Sequence, residues 1–251
     1  MFVTAKKTIR LDGTNPTMLT GYGGYGATMS PTYQPDVPLW LERGGVYAVA
    51  NLRGGGEYGE EWHRAGSLER KQNSFDDFIA AAEYLIARRY TSPGKLAIRG
   101  HSNGGLLVGA AMTQRPDLFA AAVASAGHHD MLRYHKFTVG AGWIPEYGSA
   151  DRPADFHCLL AYSPLHNVHE GKCYPAALLL AADHDDRVVP SHSYKFAAAL
   201  QAAQGCDRPI LLRVATDASH SYASGTAAIA ELSDTWAFVA WRLGLAGGRG
   251  D

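Results

Sequence analysis

Cysteine is scarce in this chain: Cys158, Cys173 and Cys206 are three among 251 residues, odd in number, widely spaced and without a CxxC pair. That usage disfavours both a disulfide framework and a zinc site, and the compartment expected is a reducing cytoplasm. No apolar run reaches the roughly 18 residues a spanning helix needs, and MFVTAKKTIRLDG at the N-terminus lacks the apolar centre of a secretory signal. A membrane partner is therefore not expected. An excess of one charge is also missing: 23 Lys and Arg against 24 Asp and Glu leave −1, so no basic field draws nucleic acid. No HExxH occurs. His128-His129-Asp130 and His184 among its acids offer suitable donor atoms, but no metal or other cofactor is expected from them.

What the chain does have is apolar content, 46% of its residues, enough for a large core. With no internal repeat and no linker, residues 1–251 read as one α/β domain. Its centre is LAIRGHSNGGLLVG at residues 96–109. A short apolar run, a GxSxG turn from Gly100 to Gly104 and a second apolar run imply strand, sharp turn, helix. A serine in such a turn is held in a strained conformation, with glycines two residues to either side because a Cβ there would collide with its surroundings. Ser102 is the candidate nucleophile, and the helix N-terminus behind it favours the negative charge of acyl transfer.

The rest alternates strand with helix. Residues 2–11 and 18–22 read as strands, 46–51 as a buried strand ending in a glycine-rich loop, and 74–88 as an amphipathic helix capped by Ser74 with Asp76 and Asp77 in its first turn. Strands follow at 120–126, 176–182 and 210–214, and helices at 191–203 and 226–243. Residues 130–170, rich in aromatics, glycines and prolines, resemble a cap or pocket wall without clear periodicity. The tail from Ala246, with its Arg-Gly-Asp end, is expected to fray. The pattern implies a largely parallel central sheet flanked by helices on both faces.

A serine nucleophile needs a histidine to take its proton and a carboxylate to hold that histidine in the accepting tautomer. Asp183-His184-Asp185-Asp186 follows the 176–182 strand, and His220 follows the last strand, giving the order Ser, Asp, His. Asp185 is the first choice of acid, with Asp183 and Asp186 as rivals. His220 is chosen over His101, His184 and His192 by its place after the last strand.

Longer segments carry a resemblance. GYGGY at 21–25, GGVYAVANLRGGGEYGEEWH at 44–63, KQNSFDDF at 71–78, SNGGLL at 102–107, QRPDLF at 114–119, YSPLHNV at 162–168 and ADHDDRVVPSHSYKF at 182–196 resemble the catalytic domain of prolyl oligopeptidases, the S9 serine peptidases. The resemblance implies an α/β-hydrolase fold, with Ser102 as nucleophile, Asp185 as acid and His220 as base. It further implies an oxyanion hole from the Asn103 backbone N–H and the Tyr22 hydroxyl, and a proline pocket of Trp143, Tyr147, Tyr25, Val188 and Asn103. Arg187 would hydrogen-bond a substrate carbonyl.

Two kinds of departure matter. Members of that family carry a β-propeller and an N-terminal segment that this chain lacks, so an open site and self-association through the surface a propeller would cover are expected. At individual positions, His128 stands where an apolar pocket residue is expected, His101 replaces a glycine before the nucleophile, and Ser219 and Ser221 flank the base where glycines are usual. The expected function is cleavage after proline in short peptides through an acyl-enzyme. The alternatives are a carboxylesterase acting on small short-chain acyl esters and an inactive truncated fragment.

Overall fold

The computed structural model describes residues 1–220 and 225–245. Ser221 and the tail from Ala246 lie outside them. Seven strands among the described residues form one sheet: β1 (Phe2–Thr4), β2 (Thr17–Thr20), β3 (Val46–Val49), β4 (Leu96–His101), β5 (Ala121–Ser125), β6 (Ala176–Ala182) and β7 (Ile210–Ala215). Their order is β1-β3-β2-β4-β5-β6-β7. Only β1 runs antiparallel to its neighbour; the other pairs are parallel, as expected.

Strand side chains alternate between faces, and the two cores follow that period. Leu19, Ala48, Ile98, Ala122 and Leu179 enter one cluster, while Met18, Tyr47, Ala97, Val123 and Leu178 enter the other. The helices are α1 (Asp36–Glu42), α2 (Glu60–Arg64), α3 (Gln72–Ala87), α4 (Asn103–Gln114), α5 (Ile144–Tyr147), α6 (Pro153–Tyr162), α7 (Ser191–Ala203) and α8 (Gly225–Arg242). α3, α4 and α7 cover the first face with Phe75, Phe78, Leu107, Phe196 and Leu200. α1 and α8 cover the second with Trp40, Phe238 and Val239. Each fully buried Phe or Leu contributes about 2 kcal/mol of transfer free energy. α4 is buried along nearly its whole length, which explains its lack of a polar face.

Several expectations need correction. The strand expected over 2–11 stops at Thr4, because only residues 2–4 find a partner on β3. Ser74 does not cap α3, which begins at Gln72 after Lys71, and no acid lies in its first turn. Instead the Ser74 hydroxyl donates to the Arg53 carbonyl at 2.6 Å, and Asp77 accepts from the Arg53 backbone N–H and guanidinium at 2.9 and 2.6 Å. Both side chains thus fasten the glycine-rich loop after β3. The stretch 130–170 contains α5, α6 and 3-10 turns at Tyr134–Lys136, Gly140–Trp143 and Pro164–Asn167.

Cysteine usage misled more seriously. Cys173 and Cys206 form a disulfide, with Cα atoms 5.2 Å apart across a separation of 33 residues. α7 returns the chain to the start of β6, and Gly171 N–H to Ala203 O and Gly205 N–H to Lys172 O hydrogen bonds lay the two segments side by side. A Cβ at Gly205 would meet Gly171 O at 2.0 Å, so the approach depends on glycine there. Linear spacing carries no trace of this meeting, and the bond removes the argument for a reducing compartment. Cys158 is free.

Candidate active site

Ser102 joins β4 to α4 with φ 59° and ψ −118°, a conformation that costs a non-glycine residue about 1–3 kcal/mol. Its neighbours hold it there. Ser102 N–H donates to Ser125 O at 2.9 Å, and Ser102 O accepts from Gly105 and Leu106 N–H at 2.9 and 3.1 Å. A Cβ at Gly100 would meet Gly104 O at 2.1 Å, and one at Gly105 would meet Ser125 O at 2.5 Å. At Gly104 the nearest atom, Gly21 O, is 3.0 Å away. The tighter constraint on the helix side is therefore Gly105, one position beyond the GxSxG pattern.

His220 Nε2 lies 3.1 Å from Ser102 Oγ, and its Nδ1 lies 2.7 Å from Asp185 Oδ2. Asp185 is buried, and its other oxygen accepts from the backbone N–H groups of Arg187 and Val188 at 3.0 and 2.8 Å. A carboxylate so saturated has one orientation to offer the imidazole. The rivals are placed elsewhere. Asp186 is exposed, whereas Asp183 accepts from the N–H groups of Asp217 and Ala218 at 3.1 and 3.2 Å and so shapes the segment leading to His220. His184 is exposed and pairs with Asp183; His192 is buried and accepts from Asp130 N–H at 3.1 Å. Asp183, His184 and Asp217 place three ligand-type atoms within 4.8 Å of one another at the surface, where Asp183 is already occupied by backbone donors.

Asn103 opens α4, where backbone N–H groups have no intrahelical acceptor. Its side chain is clamped: Nδ2 donates to Tyr22 O at 2.5 Å, and Oδ1 accepts from the Tyr147 hydroxyl at 2.7 Å. This brings the Tyr22 backbone beside the first turn of α4. Tyr25 meets Tyr147 edge-on at 5.7 Å, Tyr147 lies 5.9 Å from His128, and His128 stands edge-on to Trp143 at 4.6 Å. The expected pocket residues on this side thus form one aromatic cluster. Burial pushes the Tyr147 phenol well up, so it remains a donor. Val188 is buried next to the acid, and Arg187 is exposed with no ion pair among the described residues. Arg187 forms no salt bridge with Asp185 or Asp186; its backbone is engaged at both ends, the N–H donating to Asp185 and the carbonyl accepting from the Thr138 hydroxyl at 3.3 Å.

His128 is almost fully buried, and neither ring nitrogen has a hydrogen-bond partner among the described residues. Burial, followed by the nearness of His192 and His220, holds it well below the usual histidine range. It packs as a neutral aromatic ring.

A buried ionic network escaped the sequence reading. Lys71 Nζ donates to Gly23 O and Glu146 Oε1, both at 2.9 Å, and Glu146 Oε2 meets His63 Nε2 at 2.8 Å. The Lys71 ammonium also sits 5.2 Å from the centre of the Tyr147 ring. Burial pulls Lys71 down against the pull of Glu146. For Glu146, burial pushes upward, but Lys71 and His63 outweigh it and the net shift is downward. Lys71 stands in KQNSFDDF, but a single lysine before an amphipathic helix reads as a solvated charge. Its partners are 48 and 75 residues away.

The family model described as the prolyl oligopeptidase family matches residues 31–246. The chain belongs to that family. It is 49% identical over 247 residues to the prolyl endopeptidase of Elizabethkingia miricola, covering 98% of this chain and 35% of that protein. It is 44% identical over 250 residues to a dual function macrocyclase-peptidase of Amanita bisporigera, covering 98% of this chain and 34% of that one. Among solved structures, a post-proline cleaving enzyme from Rickettsia typhi superposes with a TM-score of 0.94 at 37% identity, covering 97% of this chain and 35% of that chain. The chain therefore has the α/β-hydrolase fold of prolyl oligopeptidase catalytic domains and spans about a third of the length of these relatives. Among the described residues no helix is long and apolar enough to cross a membrane.

Proposed function

We propose that this chain is the catalytic domain of a serine peptidase that cleaves after proline in short peptides. One observation carries the reading: the line from Ser102 Oγ through His220 to Asp185, with steps of 3.1 and 2.7 Å, at a strained strand-to-helix turn. Ser102 Oγ attacks the scissile carbonyl while His220 Nε2 takes its proton, and Asp185 stabilises the imidazolium. The oxyanion is met by the Asn103 backbone N–H and the Tyr22 hydroxyl. Collapse of the tetrahedral intermediate breaks the C–N bond, and His220 returns the proton to the departing amine. Water, deprotonated by His220, then attacks the acyl-enzyme and releases the acid and free Ser102.

Substrate choice rests on the aromatic cluster. Trp143 offers a flat face to a proline ring, with Tyr25, Tyr147, Val188 and His128 around it. Arg187, exposed beside the acid and unpaired among the described residues, is suited to a peptide carbonyl. The family assignment and the near-full coverage by prolyl endopeptidase relatives support the same class.

The test compares kcat/KM for a blocked Gly-Pro amide and a short-chain acyl ester with the same reporter, using Ser102→Ala as blank. A ratio favouring the prolyl amide, abolished in the blank, is the expected result. Ester turnover alone would replace the peptidase reading by a carboxylesterase. No turnover of either, with no fluorophosphonate label on Ser102 in folded protein, would reject hydrolysis.

A further inference from the structure

We propose that His101, which stands beside the nucleophile where the family resemblance leads one to expect glycine, is a positioning residue for His220. The role rests on the hydrolase reading above. His101 is the last residue of β4, and its backbone lies opposite Ser125 in the β4–β5 register. From there its ring makes three contacts. Nδ1 and Ser125 Oγ are 3.1 Å apart. The ring lies 5.0 Å from that of His220, at an interplanar angle of 42°. The His220 backbone also faces the ring closely enough to favour the protonated imidazole.

One side chain thereby ties β4 and β5 to the residue expected to move the proton. Asp185 meets the His220 ring on its Nδ1 side, while the remaining anchors act on its neighbours: Asp183 holds the N–H groups of Asp217 and Ala218, and Ala218 O accepts from His184 N–H at 3.0 Å. His101 acts on position 220 itself. A glycine at 101 supplies no such tie.

A charged ring here would repel the imidazolium that forms on His220, and the environment prevents it. Burial, then the nearness of His220, pulls His101 down to about 4, with Arg99 acting in the same direction and Asp185 in the opposite one. At neutral pH the ring, fastened to Ser125, therefore packs on the base without adding positive charge to the site.

The test uses His101→Gly, His101→Phe and His101→Gln, with kcat and KM on the better of the two substrates above, and amide hydrogen exchange of residues 216–220. Misplacing a base lowers kcat with little change in KM, and we expect a drop of about tenfold in the Gly variant. Phe keeps the ring contact but loses both polar ring nitrogens, so it stays low; Gln, which restores a donor, returns to within about threefold. Exchange at 216–220 speeds up in Gly and Phe but not in Gln. Phe matching the wild type in kcat and exchange would overturn the proposal, because packing alone would then suffice. So would wild-type behaviour of the Gly variant. If the wild type turns over neither substrate, the hydrolase reading fails, and the exchange data alone decide whether His101 holds the segment.

Discussion

The two halves of the site are held by different means. The serine turn is fixed by its own backbone: Ser102 is bonded to Ser125, Gly105 and Leu106, and glycines at 100 and 105 leave no room for a Cβ. The segment carrying His220 is fixed by side chains from elsewhere, Asp183, Asp185 and His101, acting across 34 residues or more. Backbone collision constrains sequence at the place where it acts, so the turn is written as a local motif. Side-chain anchoring leaves its mark only at distant positions. The first half should fail by unfolding when disturbed, and the second by losing activity while remaining folded.

The sharpest way to break that contrast lies in the second half. Asp185→Asn should leave the fold intact and lower kcat by about four orders of magnitude, since the amide favours the wrong imidazole tautomer. Steady-state kinetics beside a denaturation curve would check both parts, and Asp186→Asn, on an exposed rival, should change neither. In the first half, Gly105→Ala forces a Cβ toward Ser125 O and should destabilise the protein by about 3 kcal/mol. Ser219→Ala, at an exposed position of the His220 segment, should stay within about 0.5 kcal/mol in the same urea titration.

Acid should act through the buried histidines. Burial is the main cause that pulls His101 and His192 down to about 4 and His129 to about 3. Below about pH 6.5 the unfolded chain binds protons that these folded residues refuse, so its proton count exceeds that of the native state. Stability should then fall as pH drops from about 6.5 to 4, the His129 contribution continuing to about 3. Urea midpoints at a series of pH values should show that slope, and His101→Gly should make it shallower. Asp183→Ala removes the acceptor for two backbone N–H groups and should cost about 1 kcal/mol of stability and several-fold in kcat. An unchanged kcat would mean that Asp183 does not shape the His220 segment.

What the sequence disclosed follows the same division. β6 and α7 run over the residues read from the sequence, because an unbroken apolar run and an alanine-rich stretch are local signals. The positions of Ser102, Asp185 and His220 were legible as a motif plus an order along the chain, and the structure brings those three side chains together. The helices and turns of 130–170 were not, since short elements gain their stability from what they pack on. Tyr134, which donates to Gly148 O, and Glu146, which holds Lys71, are examples. The Cys173–Cys206 bond was misread because a return through α7 makes its two cysteines neighbours.

The Lys71–Glu146–His63 network sets a rule for how this site can change over time. The Lys71 and Glu146 charges are tolerable in the interior only while both are present, so losing Lys71 alone leaves a buried carboxylate with His63 as its remaining ring partner and should harm the protein far more than replacing Lys71 and Glu146 together by apolar residues of similar volume. Intermediates along a one-substitution path would be purged, although both ends of the path are viable. Drift at positions 63, 71 and 146 should therefore be concerted, and lineages that keep one of these residues should keep all three.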